Sequence, residues 1–447
     1  MPDTVPDRPG SLTVLRHAAL EGRLLFRDRA RLEAHQERLA RVQMRWLAAH
    51  SPYTARRLRE AGLSPDGWRG LPPIGKAEMM GHFDALNTAG LRLEDVLRVA
   101  RQAEQSRDFS PTIAGRSGPV TVGLSSGTSG TQGAFLVDRA ERLQWAGVIL
   151  RHLLPPPWPA GLLHRQRVAF LLRAEGGLYR SVQGRQIGFR FLDLLRPVSG
   201  LAAELSTYRP TLLVGPPSVL RALLDAGAVA RPDRVVSVAE VLEDDDRAAL
   251  EAGFGPVVQV YQATEGLLAL PCRHGELHLN EAHVHFDFEH LGGGHLRPLI
   301  TDLRRRVQPV VRHRLDDLLL LGADCSCGLA SRRVERIAGR QDDALLLPGN
   351  SGETVTVWPD FIRAALNLLP GLREYRAEQT GAADLLISLA PDTPEGRTRA
   401  ALEVRAVLER TGVDAARVAL SFAAMPAALD APVPGLKRRR VARHWNL

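Results

Sequence analysis

Apolar and polar positions along this chain follow first one period, then two in turn. Between about residues 23 and 62 the period is helical: Leu32, Leu39, Val42 and Trp46 share one face of a 3.6-residue repeat, with charges elsewhere. Leu71-Pro72-Pro73-Ile74-Gly75-Lys76 breaks that pattern and opens another helical stretch. Val122-Gly123-Leu124 and Ala134-Phe135-Leu136-Val137 read as short strands. Beyond them come a helix over 140–153, strands over 168–172 and 189–195, a helix over 201–208 and a strand over 211–214. Pro216-Pro217-Ser218 ends that strand, and Ser218 is placed to cap a helix running to Ala226. A strand over 234–238, a helix over 243–253 and strands over 257–261 and 307–311 follow. Such alternation predicts an α/β fold with layered, mostly parallel sheets. Ligands then sit beyond the carboxyl ends of the strands, where Gly215-Pro216-Pro217, Ala239-Glu240 and residues 262–266 fall.

The texture changes near Gly339-Arg340-Gln341-Asp342-Asp343. This divides the chain into a large N-terminal domain, 1–339, and a small C-terminal α+β domain, 340–447. The second part has strands over 345–347 and 385–389, helices over 359–369 and 394–411, and a Pro/Ala-rich tether, 427–434.

At 447 residues and 45% hydrophobic, the chain can bury large cores. It has no long apolar run, and residues 1–10 lack the apolar region of a secretory signal, so a cytoplasmic protein without membrane association is expected. The formal charge of +8 is spread along the chain, with no basic stripe interleaved with aromatics; this argues against nucleic acid and suits anionic substrates. The two lysines, Lys76 and Lys437, stand out in a chain whose other basic residues are arginines. An ammonium is a compact point charge that a guanidinium does not replace. Lys76, at a helix start, reads more simply as a solvated surface residue.

Ser125-Ser126-Gly127-Thr128-Ser129-Gly130-Thr131-Gln132-Gly133 has no apolar side chain. Glycines let its backbone approach a ligand closely, and hydroxyls with N–H groups suit phosphate oxygens. A flexible hairpin loop is the plain alternative; no Gly-Lys-Ser/Thr closes it, so it is not a P-loop. Tyr261-Gln262-Ala263-Thr264-Glu265-Gly266 offers a ring, a hydroxyl and a carboxylate on one turn, suited to adenine, phosphate and Mg²⁺. Alone it reads more simply as a strand-to-helix turn capped by Thr264. Arg312-His313-Arg314-Leu315-Asp316-Asp317 could hold ribose and phosphate, or be a surface charge cluster.

These segments, in this order and followed by Gly339-Arg340-Gln341-Asp342-Asp343 and Gly435-Leu436-Lys437, resemble the adenylate-forming (acyl-activating) superfamily. The resemblance is to the branch of phenylacetate–CoA ligases and the synthetases that adenylylate a deazaflavin coenzyme, and it covers nearly the whole chain. It implies a large domain with a small, movable C-terminal lid. Ser125, Ser126, Gly127, Thr128, Ser129 and Gly130 would embrace the ATP phosphates. Tyr261 would stack on adenine, assisted by Ala239 and Glu240; Thr264 would meet the α-phosphate and Glu265 would bind Mg²⁺. Asp317 would take the ribose hydroxyls with Arg340 close by, Asp342 would be the hinge, and Lys437 would bridge the substrate carboxylate and α-phosphate. Departures are Gln132-Gly133 where many members have Pro-Lys, Gln262 for a glycine, Leu315-Asp316 for Thr-Gly, and Leu436 between glycine and lysine. Against the role of Lys437 stands a solvated basic tail over 437–440.

The activity so implied joins ATP to a carboxylic acid, releases pyrophosphate and passes the acyl group to CoA or a carrier protein. An adenylylating or amide- or N–N-bond-forming synthetase, or a non-catalytic nucleotide-binding protein, are the other readings. The acid is not named by the sequence, and the oligomeric state stays open, a homodimer included. Finally, Cys272, Cys325 and Cys327 with either His274 or His278 satisfy a tetrahedral Zn²⁺. Some members of the resembled branch carry a comparable structural zinc; buried free thiols are the alternative. His283 and His285 read as sheet-surface residues.

Overall fold

The computed structural model describes residues 10–124, 133–154, 159, 161, 164–172, 186–425 and 438–445. A parallel sheet runs in the order Ile187–Asp193, Gln166–Leu172, Leu212–Gly215, Arg234–Ser237, Val257–Gln259. Leu212–Gly215 is buried at every position, as a strand covered on both faces must be. On one face Val168, Phe170, Val214 and Val236 pack against Leu143, Ala146 and Leu150 of the helix Arg139–Leu153. On the other, Leu171, Leu213 and Val235 meet the helices Val198–Tyr208, Pro217–Asp225 and Asp244–Gly253. The other described sheets of the large part are antiparallel: Thr112–Gly115, Gly118–Leu124 and Ala134–Asp138; Tyr261–Ala263, Gly266–Pro271 and Leu277–Leu279; and a five-stranded sheet from Val284–His290 to Val334–Arg340.

Residues 345–441 contribute a core of their own. There Ala419–Ala424, Asp384–Ala390, Glu374–Gln379 and Val441–Arg443 form a mixed sheet whose core includes residues of the helices Pro359–Asn367 and Pro394–Arg410. No described helix is long and apolar enough to cross a membrane.

Several sequence expectations shift for identifiable reasons. The helical stretch over 23–62 is broken at Ser51, whose Oγ accepts the Thr54 N–H and donates to the Leu86 carbonyl, so Arg29–His50 and Pro52–Glu60 are separate helices. The face of Arg29–His50 is also different. Val42 is 57% exposed, while His35, Gln36 and Gln43 are buried beside Leu32, Met44 and Leu47. Their polar ends are met by the carbonyls of Ala282, Glu281 and Arg305. Pro216, not Ser218, occupies the cap position of Pro217–Asp225. The expected strand over 257–261 is two strands in two sheets, and 307–311 is not a strand. His283 is buried: its ring bonds the Glu21 carboxylate at 2.8 Å, while His285 is half-buried against Asp287. Burial pushes Glu21 up, but His283 and His152 together hold its carboxyl well below the usual range.

The helix Ser11–Glu21 crosses Arg139–Leu153 at Gly147, where a Cβ would stand 2.4 Å from the His17 Cβ and 2.9 Å from the Val14 carbonyl. Gly147→Ala is therefore expected to lower stability by about 1–3 kcal/mol through overpacking. Gly200→Ala, in a helix with open space around the new methyl, is expected to be neutral or slightly stabilising. Thermal unfolding of the two variants beside the parent checks the contrast.

Candidate active site

Thr264 and Glu265 are the two turn residues of a tight hairpin between Tyr261–Ala263 and Gly266–Pro271. A strand follows, not a helix, so Thr264 caps nothing. What holds the turn is Arg305, buried to 2% exposure: its guanidinium donates to the Thr264 carbonyl at 2.8 Å, the Leu136 carbonyl at 3.3 Å and Gln308 Oε1 at 3.0 Å. Gln308 accepts the Leu136 N–H and donates to the Ala134 carbonyl, so the strand Ala134–Asp138 and the Thr264-Glu265 turn are fixed to one another. Sequence reasoning missed Arg305 and Gln308. Nothing in Arg304-Arg305-Arg306 singles out the middle residue.

Glu265 lines a cavity with Thr264, Gly133, Ala134, Lys76, Arg305 and Gln308. His313 lies behind it, Nε2 3.9 Å from the carboxylate, and its complete burial lowers its pKa, so the ring is neutral near pH 7. Lys76 is thus a cavity-lining residue, against the solvated reading. Three residues before Thr264, the Tyr261 hydroxyl donates to Asp317 Oδ2 at 2.6 Å; burial and that carboxylate raise the phenol pKa well above its usual value. Asp317 opens the strand Asp317–Leu321 directly opposite Arg340, whose guanidinium lies 3.9 Å from Asp317 and 3.4 Å from Asp316. Asp342 sits in the short turn Gln341–Asp343, tied back by the Gln341 N–H to the Asp316 carbonyl. Arg312 and Arg314 are engaged by Asp287 and Glu289 of the strand Val284–His290, reached across Leu296–Asp302.

Ala239 and Glu240 join the same region. The Val238 N–H donates to the Gly215 carbonyl and the Val260 N–H to the Ser237 carbonyl, which aligns the three strand ends. Ala239 has φ +69°, a left-handed conformation that a residue with a Cβ rarely adopts. Tyr261, Thr264, Glu265, Asp317, Arg340, Ala239, Glu240 and Asp342 are therefore brought together. Ser125, Ser126, Gly127, Thr128, Ser129, Gly130 and Lys437 lie outside the described residues.

Two further clusters flank this region. Cys272 Sγ, Cys325 Sγ, Cys327 Sγ and a His278 ring nitrogen all lie within 4.8 Å of one another; His274 is not among them, its ring resting on Ser326 Oγ. The Cys272 and Cys325 sulfurs are 4.0 Å apart, and Cys327 Sγ is 3.5 Å from His278 Nε2. Tetrahedral ligands at ~2.3 Å (sulfur) and ~2.0 Å (nitrogen) stand about 3.5–3.8 Å apart, so the spacing fits a metal and not a disulfide. His278 Nδ1 is 2.8 Å from the Ser331 carbonyl, which directs the Nε2 lone pair to the sulfurs, and backbone N–H groups of His274, Cys327 and Leu329 point at the three sulfurs.

The second cluster joins the C-terminal segment to the large part. The Arg438 N–H donates to Glu240 Oε1 at 3.0 Å, and its guanidinium pairs with Asp246 and Glu374. Arg440 lies between Glu374 at 2.7 Å and Asp245 at 3.7 Å, and Arg439 pairs with Asp343. Arg363 meets Glu243 at 2.9 Å. The solvated-tail reading therefore fails for Arg438, Arg439 and Arg440. Asp246 is 1% exposed, so Asp246→Ala is expected to cost about 1–3 kcal/mol by leaving the Arg438 guanidinium with Glu374 as its remaining carboxylate partner. Faster hydrogen exchange across Val441–Arg443, without change in the parallel sheet, is the measurement that checks it.

No family model matches the chain. It is 24% identical over 376 residues to a phenylacetate–coenzyme A ligase of Thermus thermophilus, covering 76% of each chain. Among solved structures it superposes on 2-hydroxyisobutyryl-CoA ligase in the postadenylation state, in complex with 2-HIB-AMP, with a TM-score of 0.68 at 18% identity, covering 93% of this chain and 90% of that one. It also superposes on the GH3.15 acyl acid amido synthetase, with a TM-score of 0.58 at 12% identity over 96% and 91% of the two chains. The chain thus has the fold of the adenylate-forming enzymes and is a distant sequence relative of the phenylacetate–CoA ligases among them.

Proposed function

We propose that this protein activates a carboxylic acid with ATP, forming an acyl-adenylate and pyrophosphate, and then passes the acyl group to a thiol, that of CoA or of a carrier protein. The observation that carries the reading is the convergence of Tyr261, bonded to Asp317, and the Thr264-Glu265 turn on a single region. Adenine lies at Tyr261 with Ala239 and Glu240, ribose at Asp317 beside Arg340, and the α-phosphate at Thr264. Glu265 would hold Mg²⁺, which would screen the phosphate oxygens from the incoming carboxylate. Residues 125–130 take the β- and γ-phosphates. Lys437 bridges the acid and the α-phosphate, and support for this comes from its neighbour Arg438, whose backbone is bonded to Glu240. The lid is taken as 340–447 with Asp342 at its hinge. In its present pose the lid is held to the acidic turn Glu243 to Asp246.

Chemically, an acid oxygen displaces pyrophosphate from the α-phosphorus in line, so two anions must approach. Holding both in register is worth several powers of ten in rate. Removing the Glu265 charge (Glu265→Gln) is expected to lower adenylation about 100-fold, the scale seen when one stabilising group is lost from a transition state. Acid-dependent exchange of labelled pyrophosphate into ATP, across aromatic, fatty and amino acids and with CoA added in a second stage, tests the reading. Exchange with at least one acid and CoA-dependent AMP release are expected. Nucleotide binding without exchange across the panel would leave a non-catalytic binding protein. Exchange followed by transfer only to an amine would leave the amide-forming reading.

Cys272, His278, Cys325 and Cys327 would hold a structural Zn²⁺ that braces the strand leaving Glu265, in a reducing, cytoplasmic setting. Burial pushes the Cys272 thiol up to about 12, so metal binding must displace its proton. Zinc is expected to co-purify in equimolar amount. His278→Ala should lose both metal and thermal stability, and His274→Ala neither, as read by metal analysis and melting curves.

A further inference from the structure

We infer that Lys76 is a polyphosphate-binding residue that neutralises the leaving pyrophosphate; this rests on the nucleotide reading above. Four observations converge on it. The first is position: Lys76 lines the cavity that also holds Glu265, Thr264, Gly133 and Ala134, whereas Tyr261 and Asp317 do not line it. It therefore stands at the end of the site where the Ser/Thr/Gly motif closes at Gly133, away from the proposed ribose position. The second is charge. The motif from Ser125 to Gly133 contains hydroxyls and glycines and no basic residue, so a cation for a triphosphate must come from elsewhere. Arg305, the cavity's other basic residue, turns both terminal nitrogens of its guanidinium to Thr264, Leu136 and Gln308.

The third observation is anchoring. The residues before Lys76 are stitched to the strand that leads to Asp317: the Ile74 N–H donates to the Arg312 carbonyl at 3.0 Å and the Arg314 N–H to the Ile74 carbonyl at 2.8 Å. On the other side the Ala134 N–H points at Met80 Sδ, 3.4 Å away, one turn further along the helix Lys76–Gly81. The segment that carries Lys76 is thus bonded to both walls of the site. The fourth is residue type. Only two lysines occur among 58 basic residues, and a compact ammonium on a flexible stem suits a phosphate group that moves as it departs.

In the reaction, a carboxylate oxygen bonds to the α-phosphorus while the bond from that phosphorus to the bridging oxygen breaks. The electron pair stays on the β-phosphate oxygen, no proton moves, and the pyrophosphate gains negative charge as it leaves. An ammonium beside it offsets that gain.

Nucleotide binding tests this without knowledge of the acid. ATP and AMP, each with Mg²⁺, are titrated into the full-length parent and the Lys76→Met and Lys76→Arg variants by calorimetry. Lys76→Met is expected to weaken ATP at least tenfold and AMP less than twofold, with Lys76→Arg recovering part of the loss. Where an exchanging acid is in hand, the KM for pyrophosphate rises with the same order of variants. Equal loss for ATP and AMP, or no loss for either, overturns the inference while leaving the enzyme reading intact. A parent chain that binds neither nucleotide overturns both. Should Lys76→Met fold poorly by circular dichroism, Lys76→Gln gives the same comparison.

Discussion

One buried cation organises the candidate site. A guanidinium withdrawn from water is costly unless it finds acceptors, and the two terminal nitrogens of Arg305 find them at the Thr264 turn, the strand at Leu136 and the Gln308 amide. Trp145 adds a ring 5.6 Å away. Beside it Glu141 accepts the Arg306 and Val307 N–H groups, while its own burial pushes it up to about 7. None of these partners could move far without stranding the charge. The relative placement of the hairpin turn and the strand Ala134–Asp138 is therefore fixed by polar contacts, not by apolar packing alone.

The two flanking clusters act differently. The three thiols and His278 join Cys272, just after the hairpin, to Cys325 and Cys327, which lie on a loop of a different sheet. Their packing is closed, and a metal there can only hold. The arginines of the C-terminal segment instead face carboxylates on a helix of the other part, partly reached by water. Such pairs give orientation more than adhesion, because attraction is offset by desolvation.

Sequence periodicity revealed the parallel sheet because strands covered on both faces read as continuous apolar runs, as at Leu212–Gly215 and over 168–172. It failed on Arg29–His50 because that helix buries His35, Gln36 and Gln43, whose partners are carbonyls more than two hundred residues away. No local pattern announces such partners. The motif order brought out Tyr261, Thr264, Glu265, Asp317 and Arg340 as neighbours. It could not separate His274 from His278, since only the pairing of Leu277–Leu279 turns one of them toward the sulfurs. Lys76 was equally hidden: a helix start looks the same whether it faces solvent or a cavity.

The strand Gly266–Pro271 begins where Glu265 ends and delivers the chain to Cys272, with all six positions buried. At about 3.3 Å per residue it spans roughly 20 Å. Enclosed along its length, it makes the footing of the Glu265 turn continuous with that of the sulfur cluster.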